Sequence, residues 1–265
     1  LALVLSASSL SAQPSVAYHH GDPTNAEQLT LELINRARAN PVAEGQRLIT
    51  STDPGVLNAI AHFNVNTQAV IDAFNSYEAT PPLAFHPQLI AAARRHSRDM
   101  IDFDEQTHQI APDGPNLRER TVAEGYTSQS FLRENVYAFV DNPWMGHAAF
   151  QIDWGFGPGG IQEPPGHRIA IMDIGNADNP FTEIGIGYLA DDNPAGTEVT
   201  GPFVVTHNFG RPVPGVAYLT GVVYEDTDGD GFYSEGEGLA GITIMPDRGD
   251  FFAVTSSSGG YAIPV

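Results

Sequence analysis

The spacing of apolar positions predicts helices in the first part of the chain. Apolar residues recur at intervals of three and four, which is typical of amphipathic helices. A helix is predicted from Thr24, since Thr24 and Glu27 have the spacing of a capping box. The strongest pattern lies between His86 and Phe103. Weaker helical patterns occupy residues 55–77 and 145–154.

Later segments have the pattern of strands. Residues 169–172, 183–188 and 202–206 are short runs rich in aliphatic side chains and bounded by turn residues. Helices followed by a small sheet predict an α+β domain. A Pro- and Gly-rich run at 211–215 then separates this domain from short strands and turns, which predict a second, all-β module.

The N-terminus has the pattern of a secretory leader. An apolar run is followed by small residues, with Ala12 as the expected last residue removed. We therefore expect a signal-peptide remnant at 1–12 and a protein that is secreted or attached to the cell surface. Residues 13–23 are interpreted as a polar leader, in which His19 and His20 are an incidental pair on a mobile tail.

The amino-acid composition limits the classes of partner that the protein can bind. The 12 basic residues are all arginines, against 32 acidic ones, and the formal net charge is −20. Such a chain repels nucleic acids and anionic membranes, but it suits calcium and other hard cations. No apolar run approaches the roughly 18 residues that span a bilayer, so no transmembrane segment is predicted. The chain has no cysteine, so disulfides cannot stabilise it.

Several separated motifs occur in an order that resembles the CAP superfamily of secreted proteins, in its cysteine-free bacterial form. They cover about residues 24–210. The motifs are 83–87 with 91–100, Thr107-His108, Arg133-Glu134-Asn135 and Gly166-His167-Arg168. Arg133 stands where the family has glycine. The resemblance implies a three-layer α-β-α sandwich with a large cleft lined by two histidines and two acids.

The resemblance assigns the cleft residues one by one. His108 and His167 match the two histidines, and Glu134 matches the first acid. Asp153, on the helix before a glycine-rich loop, is the best match for the second acid. His96 lies beside the apolar stripe of its own helix and is interpreted as a packed core residue, not a ligand.

This set of side chains suits more than one chemistry. Two neutral imidazoles and one or two carboxylates can hold zinc or another divalent ion with a position left for water. The carboxylates can instead hold the imidazoles in one tautomer without a metal, or the cluster can simply stabilise the cleft. Three functions follow: binding of a small lipid or peptide, metal-dependent hydrolysis by His108, Glu134 and His167, or adhesion by a surface protein whose cleft is inert.

The second module carries an aspartate-rich loop. Asp226, Asp228, Asp230 and Glu237 occupy positions 1, 3, 5 and 12 of a calcium-binding pattern, and Phe232 offers its carbonyl at position 7. Strand-like flanks exclude an EF-hand helix pair. A solvated acidic turn is the alternative interpretation.

The frame around this loop resembles the B-repeat modules of bacterial surface adhesins. The resemblance implies a partial immunoglobulin-like β-sandwich at 220–265, joined to the first domain by a linker at 211–219. We expect calcium to stabilise this module and to leave the melting of residues 24–210 unchanged. A cell-surface partner is the expected partner of such a module.

Overall fold

The computed structural model describes residues 14–176, 178–192 and 199–265. The predicted signal-peptide remnant therefore lies outside the described residues. The helices are α1 (Asn25–Ala39), α2 (Pro41–Ile49), α3 (Pro54–His62), α4 (Thr67–Asn75), α5 (Pro87–Phe103), α6 (Leu117–Ala123), α7 (Pro143–Ala148) and α8 (Gly166–Met172). The strands are β1 (Val16–Ala17), β2 (Ala84–Phe85), β3 (Gln129–Val140), β4 (Glu183–Ala190), β5 (Phe203–Pro212), β6 (Tyr218–Val222), β7 (Thr243–Ile244), β8 (Phe251–Val254) and β9 (Gly260–Pro264). This is an α+β fold, as predicted.

The predicted helix starts are confirmed. Thr24 caps α1 through a complete capping box with Glu27. The apolar stripe of α5 is buried, including Leu89, Ile90 and Met100. Among the described residues, no helix combines the length and the apolar character that a membrane crossing requires.

Strands β2, β4, β5 and β3 form the main sheet in that order, with β3 at its edge. The predicted strands at 183–188 and 202–206 are confirmed as parts of β4 and β5. The predicted strand at 169–172 is wrong, because this segment belongs to α8. Short apolar runs do not distinguish a buried strand from a buried helix. Here the Asp153 carboxylate accepts backbone N–H groups at the start of α8 and thereby favours the helix.

Helices pack on both faces of the main sheet. On β4, Gly185 and Gly187 face α5 so closely that an added Cβ would lie 1.9 Å and 2.5 Å from helix backbone atoms. Successive residues of a strand point to opposite faces. Ile184 and Ile186 are fully buried in the main core, together with residues of α1, α2, α7 and α8.

Residues 14–23 of the leader are an ordered part of the fold. Strand β1 pairs in parallel with the first residues of β8, and the ring of Tyr18 packs at 5.9 Å from that of Phe251. His20 is buried, with 2% of its surface exposed. The interpretation of this segment as a mobile tail is therefore wrong. In the three-stranded sheet ordered β1-β8-β7, the backbone of β1 covers the edge of β8. Without β1, this edge of the C-terminal module would be exposed.

The C-terminal module packs directly on the first domain. The connection between β5 and β6 comprises residues 213–217. An added Cβ at Gly260 would lie 1.9 Å from the side-chain oxygen of Gln28, so the Gln28 side chain of α1 packs against the backbone of β9. Phe232, in the aspartate-rich loop, lies under the guanidinium of Arg36 at 4.6 Å. The Tyr218 hydroxyl donates to Glu183 of β4 at 2.5 Å.

This contact region makes stability dependent on pH through Glu32 of α1. Burial raises the pKa of Glu32 to about 7, and the hydrogen bond from Gln28 at 2.8 Å opposes that rise only partly. The folded chain therefore holds this proton more tightly than the unfolded chain does. The resulting stability is fully present below pH ~4.5 and is lost as the pH rises through about 7.

We expect Glu32→Gln to raise the free energy of unfolding by about 2 kcal/mol at pH 8, because it removes a carboxylate that is costly to ionise. The gain should shrink towards zero at pH 4. Urea denaturation at both pH values measures it, with the exposed Glu78→Gln as the matched control. An equal gain at both pH values would contradict the assignment.

Candidate functional site

Asp153 and His167 form one histidine–carboxylate pair. Helix α7 runs into a π-helical turn, Ala149–Asp153, a feature that is frequent at functional sites. Asp153 ends this turn with φ 58°, a conformation that aspartate tolerates better than most residues. Its buried carboxylate lies 2.7 Å from His167 Nδ1 and accepts the His167 N–H at 2.9 Å. The same group thus fixes the start of α8 and the orientation of the imidazole.

His108 and Glu134 form a second pair. His108 Nδ1 lies 3.0 Å from Glu134 Oε1, and the side chains are 61% and 3% exposed respectively. Glu134 is carried by the edge strand β3. Arg120 of α6 donates to the other carboxylate oxygen, and also to the His108 carbonyl at 3.0 Å. Arg120 therefore fixes both members of the pair.

These contacts keep Glu134 ionised at neutral pH. Burial alone would raise its pKa, but the hydrogen bond from His108, the charge interactions with His96 and Arg120, and the Arg120 hydrogen bond outweigh it and lower the pKa. His96 is fully buried, which confirms that it belongs to the core. Burial lowers the pKa of His96, and its Nε2 lies 2.9 Å from the Thr107 carbonyl, directly before His108.

The two pairs flank β3. Glu134 points towards α5, since it lies 3.8 Å from His96 of that helix. Asn135, the next residue, points to the opposite face and donates to the His167 carbonyl at 3.1 Å. Beside the strand lies a cavity of about 130 Å³. Its walls include Gln106, Tyr137, Phe150, Trp154 and His167.

Each carboxylate contacts the Nδ1 atom of its histidine. The other ring nitrogen, Nε2, is therefore the one that this contact leaves free. The Nε2 atoms of His108 and His167 form no hydrogen bond within the described residues. Carboxylates in this position orient metal-binding histidines in many proteins. Among the described residues, no three of the four side chains offer ligand atoms within 4.8 Å of one another. The geometry therefore engages Glu134 and Asp153 with the Nδ1 atoms and leaves the two Nε2 atoms without a hydrogen bond in the described chain.

The sequence did not predict that Arg120 belongs to this site. It lies in a short helix that matches none of the motifs, and its chain position gives no sign of its partner. Its role depends on the packing of α6 against β3, which leaves only 2% of the surface of Arg120 exposed. The only signal for the role of Arg120 is its burial beside the acidic motif. That burial can be seen only in the three-dimensional structure.

The aspartate-rich loop brings three of its five predicted ligands together. Asp226, Asp228 and Glu237 offer oxygens within 4.8 Å of one another. Asp230 lies outside this group and accepts the N–H of Phe232 at 2.7 Å. Hydrogen bonds from the backbone N–H groups of Ser234 and Thr227 lower the pKa of Glu237.

Comparison with known proteins gives one structural likeness. No protein-family model matches the chain, and no curated protein matches it. Among solved structures, the chain is similar to an extracellular protein containing an SCP domain from Bacillus anthracis str. Ames, with 20% identity and a TM-score of 0.36. The match covers 61% of this chain and 44% of that one, so it spans less than half of the solved structure.

Proposed function

We propose that this chain is a secreted or cell-surface protein of the CAP superfamily whose histidine–acid cleft binds a small lipid or peptide. The observation that carries the proposal is the pair of Nδ1–carboxylate contacts, at 3.0 Å for His108 and 2.7 Å for His167. They leave the Nε2 atom of each imidazole without a hydrogen bond in the described chain. The motif order along residues 24–210 supports the family.

The cavity beside His167 supports the choice of ligand. Phe63, Phe150 and Trp154 give it apolar walls, while Gln106 and Gln162 add amide groups. A volume of about 130 Å³ suits one peptide side chain or the end of an acyl chain, and is smaller than the pockets that enclose whole drug-sized molecules. The remainder of the ligand would lie along the surface near the exposed His108.

The proposal includes a divalent metal because imidazole nitrogens and carboxylate oxygens are ligands that such ions accept. His108 and His167 would hold it through Nε2, with Glu134 and Asp153 fixing the two rings. Zinc with so few protein ligands would retain positions for a ligand oxygen and would polarise a bound carbonyl. The chain's own contribution would be to orient both imidazoles through the carboxylates at Nδ1.

Calorimetric titration with zinc tests this proposal. We expect His108→Ala and His167→Ala each to weaken zinc binding more than tenfold, and Asp153→Asn to weaken it by about 10–100-fold because His167 loses its orienting group. The exposed His62→Ala is the matched control and should bind as the wild type does. Unchanged zinc affinity in both cleft-histidine variants would refute the metal role.

The same variants separate the binding protein from the hydrolase. Turnover of a peptide library by the zinc-loaded protein, lost in His108→Ala and in Glu134→Gln, would favour metal-dependent hydrolysis. Retained ligand binding without turnover would favour the binding function. A cleft that binds neither zinc nor any lipid or peptide would leave the adhesive surface protein as the better description.

We further propose that the aspartate-rich loop binds calcium. Asp226, Asp228 and Glu237 converge, and the spacing of acids along the loop is that of a calcium site. In this proposal the loop stabilises an immunoglobulin-like module similar to an adhesin B-repeat. Strands β6, β7, β8 and β9 would supply its strands in the described chain, and β1 of the leader pairs with β8.

A further inference from the structure

A second cavity, of about 370 Å³, lies where the first domain meets the connection to the C-terminal module. Its walls come from the start of α5, the loop after α6, the start of β4 and residues 212–216. It shares no residue with the cavity beside His167. Its volume lies within the range of small-molecule sites.

Glu183 is the charged group of this cavity. Only 2% of its surface is exposed. The Tyr126 hydroxyl donates to Oε2 and the Tyr218 hydroxyl to Oε1, each at 2.5 Å. Among the residues that the structure describes, Glu183 forms no ion pair with any arginine or histidine. A buried carboxylate without a cation is costly, even when hydroxyl groups solvate it.

The walls offer further acceptors that have no partner. Gln88 Oε1 is buried without a hydrogen bond, and so is His86 Nδ1. Burial lowers the pKa of His86, although the charge of Glu183 opposes this, so the imidazole is neutral and cannot supply the missing cation. Tyr126 packs edge-on against His86 at 4.9 Å, which gives the cavity an aromatic side.

We infer that this cavity binds a small organic cation with N–H donors, such as an alkylammonium or alkylguanidinium ion. The positive group would pair with Glu183, its N–H donors would satisfy Gln88 and His86, and the rings of Tyr126 and Tyr218 would stabilise the charge. The alkyl part would lie against Pro212, Val213 and Val216. This inference is independent of the proposed function of the histidine–acid cleft.

Other ligand classes fit less well. An anion would be repelled by Glu183 and by the net charge of −20. A divalent metal needs several oxygen or nitrogen ligands, and no metal-binding group includes Glu183 among the described residues. A neutral polyol would leave the carboxylate without a counter-charge.

Calorimetry with butylammonium as the probe, and 1-butanol as its neutral analogue, tests the inference on the full chain. We expect butylammonium to bind with a dissociation constant of about 1 mM or lower, and 1-butanol to bind at least tenfold more weakly. Glu183→Gln should weaken butylammonium binding at least tenfold, since the counter-charge is removed. Equal binding of the two probes, or no butylammonium binding below about 10 mM, would overturn the inference.

A substitution at the edge of the cavity tests the inference even if Glu183→Gln fails to fold. Thr127 is exposed at the edge of the cavity, so Thr127→Trp should fill the entrance without removing any of the buried hydrogen bonds. We expect this variant to lose butylammonium binding and Thr127→Ala to retain it. If Thr127→Trp binds butylammonium as the wild type does, the ion binds elsewhere and the inference is wrong.

Discussion

Arg120→Ala should lower the free energy of unfolding by about 3–5 kcal/mol at pH 7, as expected when one partner of a buried ion pair is removed. The substitution leaves the carboxylate of Glu134 buried without its arginine. It also removes hydrogen bonds to the carbonyls of His108, at 3.0 Å, and Pro115, at 2.8 Å. Urea denaturation followed by circular dichroism measures the loss.

The matched control is Arg118→Ala, in the same helix. Arg118 donates to Gln129 at the surface, so its loss should cost no more than about 0.5 kcal/mol. The pKa of Glu134 is lowered by folding, so its contribution is present above the pKa of the unfolded chain and is lost as the pH falls. The deficit of Arg120→Ala should therefore shrink below pH ~4.5. A loss below about 1 kcal/mol at pH 7 would show that Glu134 does not depend on Arg120.

Calcium should raise the melting temperature of the whole chain in a single transition. At about 100 times its dissociation constant, an ion that binds only the folded loop adds roughly 2.7 kcal/mol. The sequence alone predicts that this gain stays within the C-terminal module. The structure joins the module to α1 through Phe232 and Arg36, at 4.6 Å, and to β4 through Tyr218 and Glu183, so the gain should extend to both parts.

Calorimetric scans with calcium and with a chelator test this coupling. Asp228→Asn should remove most of the gain, and Asp247→Asn, an exposed residue outside the loop, should retain it. Two separate transitions, of which only one responds to calcium, would mean that the contacts between the parts are weak. A melting temperature that calcium and the chelator leave unchanged would reduce the loop to a solvated acidic turn.

Sequence patterns correctly predicted the helices that are determined by residues close to one another in the chain. The capping box at Thr24 and the apolar stripe of α5 are local features, and both helices lie where expected. The segment 169–172 was assigned wrongly because its state depends on Asp153, a distant residue that caps α8. A four-residue apolar run carries no information about such a cap.

The candidate site was predictable only in part, for the same reason. Short motifs identified His108, Glu134 and His167, and the position before the glycine-rich loop indicated Asp153. Pairing of each acid with one Nδ1 atom is set by how α6, α8 and β3 pack, and no motif encodes that packing. The docking of the leader on β8 was missed because a two-residue strand has no pattern of its own.

The parallel pairing of β1 with β8 has a consequence for the order in which the protein acquires its structure. Residues 16–17 and 251–252 are paired across most of the given sequence, so this part of the sheet cannot form from a local segment. Contacts between residues so distant in sequence also slow folding. Trimming the leader would leave β8 as an uncovered edge that recruits strands from other molecules.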